Sequence, residues 1–190
     1  MSSTANRVNP NPGKTPTKVI TGIVRLSYAN VWEPKSIKGD TPKYSVSLLI
    51  PKSDTKTLAA INAAVDAAIE EGKGKFGGKI PNKAALKLPL HDGDIERPDD
   101  EAYADCYFLN ANSVTPPEIV DKQLNPILSR SEVYSGVYAR VSVNFYAFLA
   151  KGSRGIACGL GNIQKVRDGE PLGGRASALD DFGYEDDFLA

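Results

Sequence analysis

From Val137 to Leu149 an apolar side chain stands at every second position, with polar or aromatic residues between. A two-residue period sustained over that length leaves an extended strand as the regular structure that gathers one whole set on a single face. Val137, Ala139, Val141, Val143, Phe145, Ala147 and Leu149 point one way, and Tyr138, Arg140, Ser142, Asn144, Tyr146 and Phe148 point the other. The Lys151-Gly152-Ser153 turn and a second strand-like run, Arg154 to Leu160, predict a hairpin. A lone hairpin is marginal in water, so the chain must supply further strands to cover it.

It does so upstream. From Lys18 to Trp32, Ile20, Val24, Leu26 and Tyr28 form one expected face, with Arg25 and Ser27 on the other. After a turn-rich stretch, Tyr44, Val46, Leu48 and Ile50 alternate with Lys43, Ser45 and Ser47, predicting an antiparallel partner for the first strand. Strand character returns at Tyr103 to Asn112 and briefly at Ile119-Val120. Between these lies one clear helix: Ser53 or Asp54 is placed to cap it, Leu58, Ile61, Val65 and Ile69 fall at helical spacing, and Gly72 supplies the stop after Glu71. Residues 73–102 read as a loop-rich insertion. Five or six strands with one main helix predict a mainly β fold, an OB-like antiparallel barrel carrying an inserted helix and long loops.

Length and composition fit one core. Of 190 residues 41% are apolar, which suits a single domain over residues 17–178, preceded by a disordered Pro/Asn/Ser arm at 1–16. No apolar run reaches the roughly 18 residues needed to span a bilayer, and no secretory signal opens the sequence, so a soluble, cytoplasmic protein without membrane contact is expected. Cys106 and Cys158 sit in strand-like contexts and read as buried free thiols; with the single His91 they lack the number and spacing of a zinc site. Neither metal nor cofactor is expected.

Residues 179–190 hold Asp180, Asp181, Glu185, Asp186 and Asp187, no Lys or Arg, and the rings of Phe182, Tyr184 and Phe188. Such a segment cannot bury enough apolar surface to offset its ordering entropy and is expected to be a mobile tail. The chain as a whole is formally neutral, with 23 cationic and 23 anionic side chains, so residues 1–178 carry a charge of +5. A tethered polyanion on a cationic body points to nucleic acid as the body's ligand, and to a tail that competes for that groove or recruits partner proteins.

The outward face at 138–148 carries the matching chemistry. Tyr138, Tyr146 and Phe148 offer rings on which unpaired bases stack, and Arg140 offers a guanidinium to phosphate. Lys75, Phe76 and Lys79 form a cationic loop with one ring; it lacks the spacing of a nucleotide-binding P-loop. Arg25, Trp32 and Lys43 on the first two strands complete the candidate contacts. The acidic run His91 to Glu101, with Asp92, Asp94 and Glu96, is the one place where a Mg²⁺-dependent nuclease or resolvase could assemble, and a structural or scaffold protein whose tail recruits assembly partners is a third reading.

Several collinear segments resemble a tailed-phage family of single-stranded DNA-binding proteins: Arg25-Leu-Ser-Tyr-Ala-Asn30, Pro42 to Lys52, Lys75-Phe-Gly-Gly-Lys79, Leu90 to Asp94, Phe108-Leu-Asn-Ala-Asn112, Glu132 to Gly136, Asn144-Phe-Tyr-Ala-Phe148 and Gly169 to Gly174. The resemblance spans about residues 17–190. It implies a non-enzymatic OB-fold protein that coats single-stranded DNA without sequence preference in phage replication, recombination or repair, within the infected bacterial cell. It also implies an acidic tail that docks replication or recombination proteins. Oligomeric state and binding to duplex DNA stay open at this point.

Overall fold

The computed structural model describes residues 15–36 and 38–172. Most of the expected arm and the whole acidic tail lie outside the described residues.

Among the described residues eight strands form one sheet: β1 (Lys18–Ile20), β2 (Val24–Lys35), β3 (Lys43–Pro51), β4 (Leu90–Asp92), β5 (Cys106–Ser113), β6 (Ile119–Val120), β7 (Tyr138–Ala150) and β8 (Ser153–Arg167). Five of them close a ring. β2 pairs with β3, β3 with β5, β5 with β8, β8 with β7, and β7 returns to β2. Only the β5–β8 contact within this ring is parallel, as in the Greek-key OB barrel. The strand total exceeds the five or six expected because β1, β4 and β6 are two- or three-residue additions to the ring. Too short to show a period, they borrow their register from β7, β5 and β8.

The long alternation at 137–149 holds. Val137, Ala139, Val141, Val143, Phe145 and Ala147 are buried in the barrel, and β8 returns antiparallel along the whole length of β7. Leu149 alone of that set is exposed, because it sits beyond the barrel near the hairpin turn. Val24, Leu26, Val46, Leu48, Ile50, Leu109, Ile156 and Ile163 fill the interior from the other strands. Each such side chain contributes about 1.5–3 kcal/mol through burial.

Helix α1 (Thr55–Glu71) follows β3 in the chain and covers one side of the barrel by packing against β7, β1 and β8. The Asp54 side chain accepts the Thr57 N–H at 3.1 Å, satisfying one orphan donor of the first turn. Ile61, Ala64, Val65, Ala68 and Ile69 form its buried stripe. Gly72 ends the helix by fit: a Cβ there would stand 2.2 Å from the Ala147 Cβ of β7.

The insertion is a chain of short pieces: single 3-10 turns at Lys73–Phe76, Lys83–Ala85 and Glu101–Tyr103, with the one-turn helix α2 (Gly93–Glu96). Among the described residues no helix is long and apolar enough to cross a membrane.

The first expected strand is corrected. It breaks at Thr21-Gly22-Ile23 into β1 and β2, and Ile20 and Tyr28 face outward instead of sharing the Val24/Leu26 face. A β-bulge explains Tyr28. Ser27 pairs with Ser47 but Asn30 with Ser45, so β2 carries one extra residue over that interval and the alternation changes phase.

Candidate nucleic-acid interface

Across the outer surface of β2, β3 and β5 the registers align two polar rows. Ser27, Ser47 and Asn110 form one, and Asn30, Ser45 and Asn112 form the next, which continues onto Gly159 of β8. The Ser47 hydroxyl donates to Asn110 Oδ1, and Asn30 Nδ2 donates to Ser45 Oγ at 3.3 Å. This is a trench floor of hydroxyls and amides with no ionised group, in which Ser27 and Ser47 are buried and Asn110 is exposed. Beside Gly159 it meets the ring of Tyr146, whose Cε1 would lie 3.5 Å from a Cβ at that glycine. On the other side Leu49 and Phe108 are roofed by Tyr103, which meets Phe108 edge-on at 5.0 Å, while His91 stacks on Phe108 at 5.0 Å. That small second core forms a wall.

Cations gather at two turns. At the β2–β3 turn Lys35 lies directly opposite Lys43, both exposed, with Lys38 between them in sequence. Like charges placed across a ladder repel, a cost that a bound anion relieves. At the β7–β8 turn stand Lys151 and Arg154, and the insertion wraps this turn: Lys87 N–H donates to Arg154 O at 2.9 Å, Ile156 N–H to Lys87 O at 2.9 Å, and Lys75 Nζ to Ala147 O at 3.0 Å. Residues 72–91 contain no Asp or Glu. Among the described residues, Lys43, Lys87, Lys151 and Arg154 make no ion pair.

The acidic run does not converge on a point. Lys52 Nζ lies 2.9 Å from Asp92 and 2.7 Å from Asp94, Asp92 also caps α2, and Asp94 accepts the Asp105 N–H at 3.1 Å. Hydrogen bonding from Lys52 holds the Asp94 carboxyl below its usual range, and the Lys52 ammonium is correspondingly raised. Glu96 pairs with His91 at 2.9 Å and Asp100 caps the 3-10 turn that follows. Among the described residues no three His, Cys, Asp or Glu side chains are grouped to hold a metal ion.

The expected contacts divide into three groups. Tyr146 (44% exposed) and Lys43 lie at the trench or its cationic β2–β3 turn, Lys75 reaches β7 through Ala147 O, Lys79 is exposed on the loop that follows, and Phe148 is half-buried opposite Gly155. Arg25 and Tyr138 belong to a different device. Arg25 Nε donates to Gly136 O at 3.1 Å and Nη2 to Glu170 O at 2.6 Å, while Tyr138 is held between the guanidiniums of Arg25 and Arg167 at 5.5 and 4.3 Å. Together with Tyr134, whose hydroxyl donates to Gly169 O at 2.8 Å, they strap residues 168–172 across the barrel. The strap runs so close that a Cβ on Gly136 would stand 2.1 Å from Glu170 O. Its last residue, Leu172, donates N–H to Ser135 O and packs on the Leu49/Tyr103/Phe108 wall. In the third group side chains serve the fold. Arg140 Nε donates to Thr21 O, and the Trp32 indole donates to Val133 O at 2.8 Å while packing on the core. Phe76 is corrected: at 8% exposure its ring anchors the cationic loop in the core and is closed to a base.

Tyr28, like Ile20, faces outward against the sequence pattern. Its φ of +47° is left-handed, a conformation that costs a residue with a Cβ about 1–2 kcal/mol, yet its side chain is 58% exposed. Arg97 fixes the ring, donating Nη2 to its hydroxyl at 2.7 Å, with the guanidinium 5.3 Å from the Tyr28 centroid and 4.8 Å from that of Tyr103. Beside it opens a pocket of about 530 Å³ that reaches Ser27, Asn30, Ser135 and Leu172.

Comparison with known proteins places this architecture. The sequence model for the family of the Enterobacter phage Enc34 ssDNA-binding protein matches residues 17–189. Protein p50 of Acyrthosiphon pisum secondary endosymbiont phage 1 is 30% identical over 175 residues, covering 87% of this chain and 92% of that protein. The structure of the single-stranded DNA-binding protein from bacteriophage Enc34 in complex with ssDNA superimposes with a TM-score of 0.70 at 26% identity, over 83% of this chain and 90% of the other. The single-stranded DNA-binding protein gp2.5 encoded by bacteriophage T7 shares the fold at a TM-score of 0.59 and 13% identity, over 91% and 98% of the two chains.

Proposed function

The chain belongs to the family of the Enterobacter phage Enc34 ssDNA-binding protein, and from that premise we propose that it is a non-enzymatic protein that binds single-stranded DNA without sequence preference. One observation carries the reading: on the OB face formed by β2, β3 and β5 an uncharged hydrogen-bonding floor adjoins the cationic β2–β3 turn, and among the described residues Lys43, Lys151 and Arg154 have no carboxylate partner. Phosphates meet Lys43, Lys151 and Arg154, and counterion release supplies affinity. Serine hydroxyls and asparagine amides both donate and accept, so they serve the edge of any base. Tyr146 at the trench border offers a stacking face, which favours unpaired over paired DNA.

Residues 17–178 act as the binding domain, at work in phage DNA replication, recombination or repair in the cytoplasm of an infected bacterium. The acidic segment 179–190 competes with DNA for the trench and recruits replication or recombination proteins when DNA displaces it. What supports competition is the strap: it fixes Leu172, seven residues ahead of that segment, at the wall of the trench itself.

A fluorescence titration with oligothymidylate tests the core of this reading. Binding is expected to weaken steeply between about 50 and 200 mM salt; absence of binding at low salt refutes it. Labelled single-stranded and branched DNA incubated with the protein and Mg²⁺ is expected to stay intact, and cleavage would show a nuclease. Deleting residues 179–190 is expected to tighten binding, most at low ionic strength where charges are least screened. Unchanged affinity would separate the tail from the trench.

A further inference from the structure

Tyr28 stands in a strained backbone conformation with an exposed ring, and both conditions come from one bulge that turns it out of the core. Bulges that re-aim a side chain are characteristic of functional sites. The ring is also preset, since Arg97 holds its hydroxyl and spans to Tyr103.

The pocket beside it is polar in a particular way. Ser27 Oγ accepts from the Tyr103 hydroxyl and Ser135 Oγ accepts from the Ala29 N–H, which leaves each serine its own proton to donate. Asn30 spends its amide nitrogen on Tyr28 O and Ser45 Oγ, which leaves Oδ1 as an acceptor. Donors and an acceptor therefore converge beside an exposed ring, with Lys35 lining the same pocket. Its volume of about 530 Å³ falls within the range of small-ligand sites.

We propose that this pocket takes one unpaired nucleobase, stacked on Tyr28 with its edge on Ser27, Asn30 and Ser135 and the adjoining phosphate on Lys35. The proposal rests on the single-stranded DNA reading above and adds to it a fixed station where one base leaves the path of its neighbours. A base inside a duplex is stacked on both faces and paired at its edge, so this station discriminates against duplex DNA.

The test uses the full chain and an oligothymidylate carrying one 2-aminopurine. Tyr28→Gly removes the ring and relieves the left-handed strain, so its melting temperature is expected to equal or exceed that of the wild type. Its affinity is expected to fall about 5- to 150-fold, the range of one lost base–aromatic stack. The slope of log affinity against log salt should not change, and quenching of the 2-aminopurine should shrink. Tyr28→Phe keeps the ring and is expected to bind close to the wild type. Wild-type affinity in Tyr28→Gly overturns the proposal and leaves DNA binding standing. A reduced salt slope in that variant, or a Tyr28→Phe loss as large as that of Tyr28→Gly, overturns stacking in favour of a charge or hydroxyl role. If the wild type itself does not bind at low salt, the underlying DNA reading falls.

Discussion

Neutralising three trench cations tests the electrostatic reasoning quantitatively. Lys43 stands at the β2–β3 turn, and Lys151 and Arg154 at the β7–β8 turn; among the described residues none of the three has a carboxylate partner. Each is therefore available to displace a counterion from a phosphate. For single-stranded nucleic acid each neutralised phosphate contributes about 0.7 to the slope of log affinity against log salt, so Lys43→Ala/Lys151→Ala/Arg154→Ala should lower the slope by about 2. Referred to 1 M salt, the same relation makes each contact worth about 5-fold at 0.1 M, so the triple variant should bind roughly 100-fold more weakly there and only about 4-fold more weakly at 0.5 M. Oligothymidylate titrations by fluorescence at four or more salt concentrations measure both quantities. Lys56→Ala, an exposed cation on α1, is the control and should leave the slope unchanged. A triple variant with the wild-type slope would show that phosphates do not run between the two turns, however the affinity itself changed.

Three further outcomes follow from packing and charge. Ile61 is fully buried where α1 meets the barrel, so Ile61→Ala should destabilise the protein by about 2–5 kcal/mol in urea unfolding; a loss below about 1 kcal/mol would mean the helix does not rest on that contact. Burial pushes the Cys158 thiol up to about 12 and raises the half-buried Cys106 less strongly. Mass spectrometry after alkylation at neutral pH should then find Cys158 unmodified until the protein is denatured, with Cys106 modified slowly; fast labelling of Cys158 in the native protein would contradict its placement. The Lys52 bond holds the folded-state Asp94 carboxyl below its unfolded value. The stability this contributes is present above the unfolded Asp value of about 4 and is lost as pH falls through the lower folded value. The melting-temperature gap between wild type and Lys52→Met should thus stay level from neutral pH to about 5 and close below about 4; a gap that persists to pH 2 would remove the pairing as its cause.

The elements legible from sequence were those in which local period and tertiary burial agree. Strand β7 keeps its strict alternation because it runs through the ring without an extra residue, the irregularities of the hairpin falling in β8, and α1 keeps its stripe and its Asp54 cap because both are set within a few residues. Phe76 was misread since its neighbours are lysines and glycines; burial came from the distant contact of the Gly72 end of α1 with Ala147. The trench escaped for a related reason. Ser45, Ser47, Asn110 and Asn112 are visible as the polar half of two alternations, but that marks only an outward face. What makes them a floor is the long-range register that aligns Ser47 with Asn110 and Asn112 with Gly159. The roles of Arg25 and Tyr138 likewise depend on a strap that joins the chain's last described residues to β2.

The bulge in β2 shows how core and surface requirements are met by a single irregularity. Leu26 and Val31 are both buried, yet they are five residues apart and would lie on opposite faces of a regular strand. One extra residue between Ser27 and Asn30 restores Val31 to the interior, and the Ala29 N–H that leaves the ladder is satisfied by Ser135 Oγ at 2.9 Å. The same insertion expels Tyr28. In a regular strand Tyr28 would follow Leu26 into the barrel and Val31 would stand in water, so burial of Val31 offsets the backbone strain at Tyr28. An exposed tyrosine beside the trench is thus secured by the barrel's own packing, and substitutions that spare the bulge can change the ring without disturbing the core.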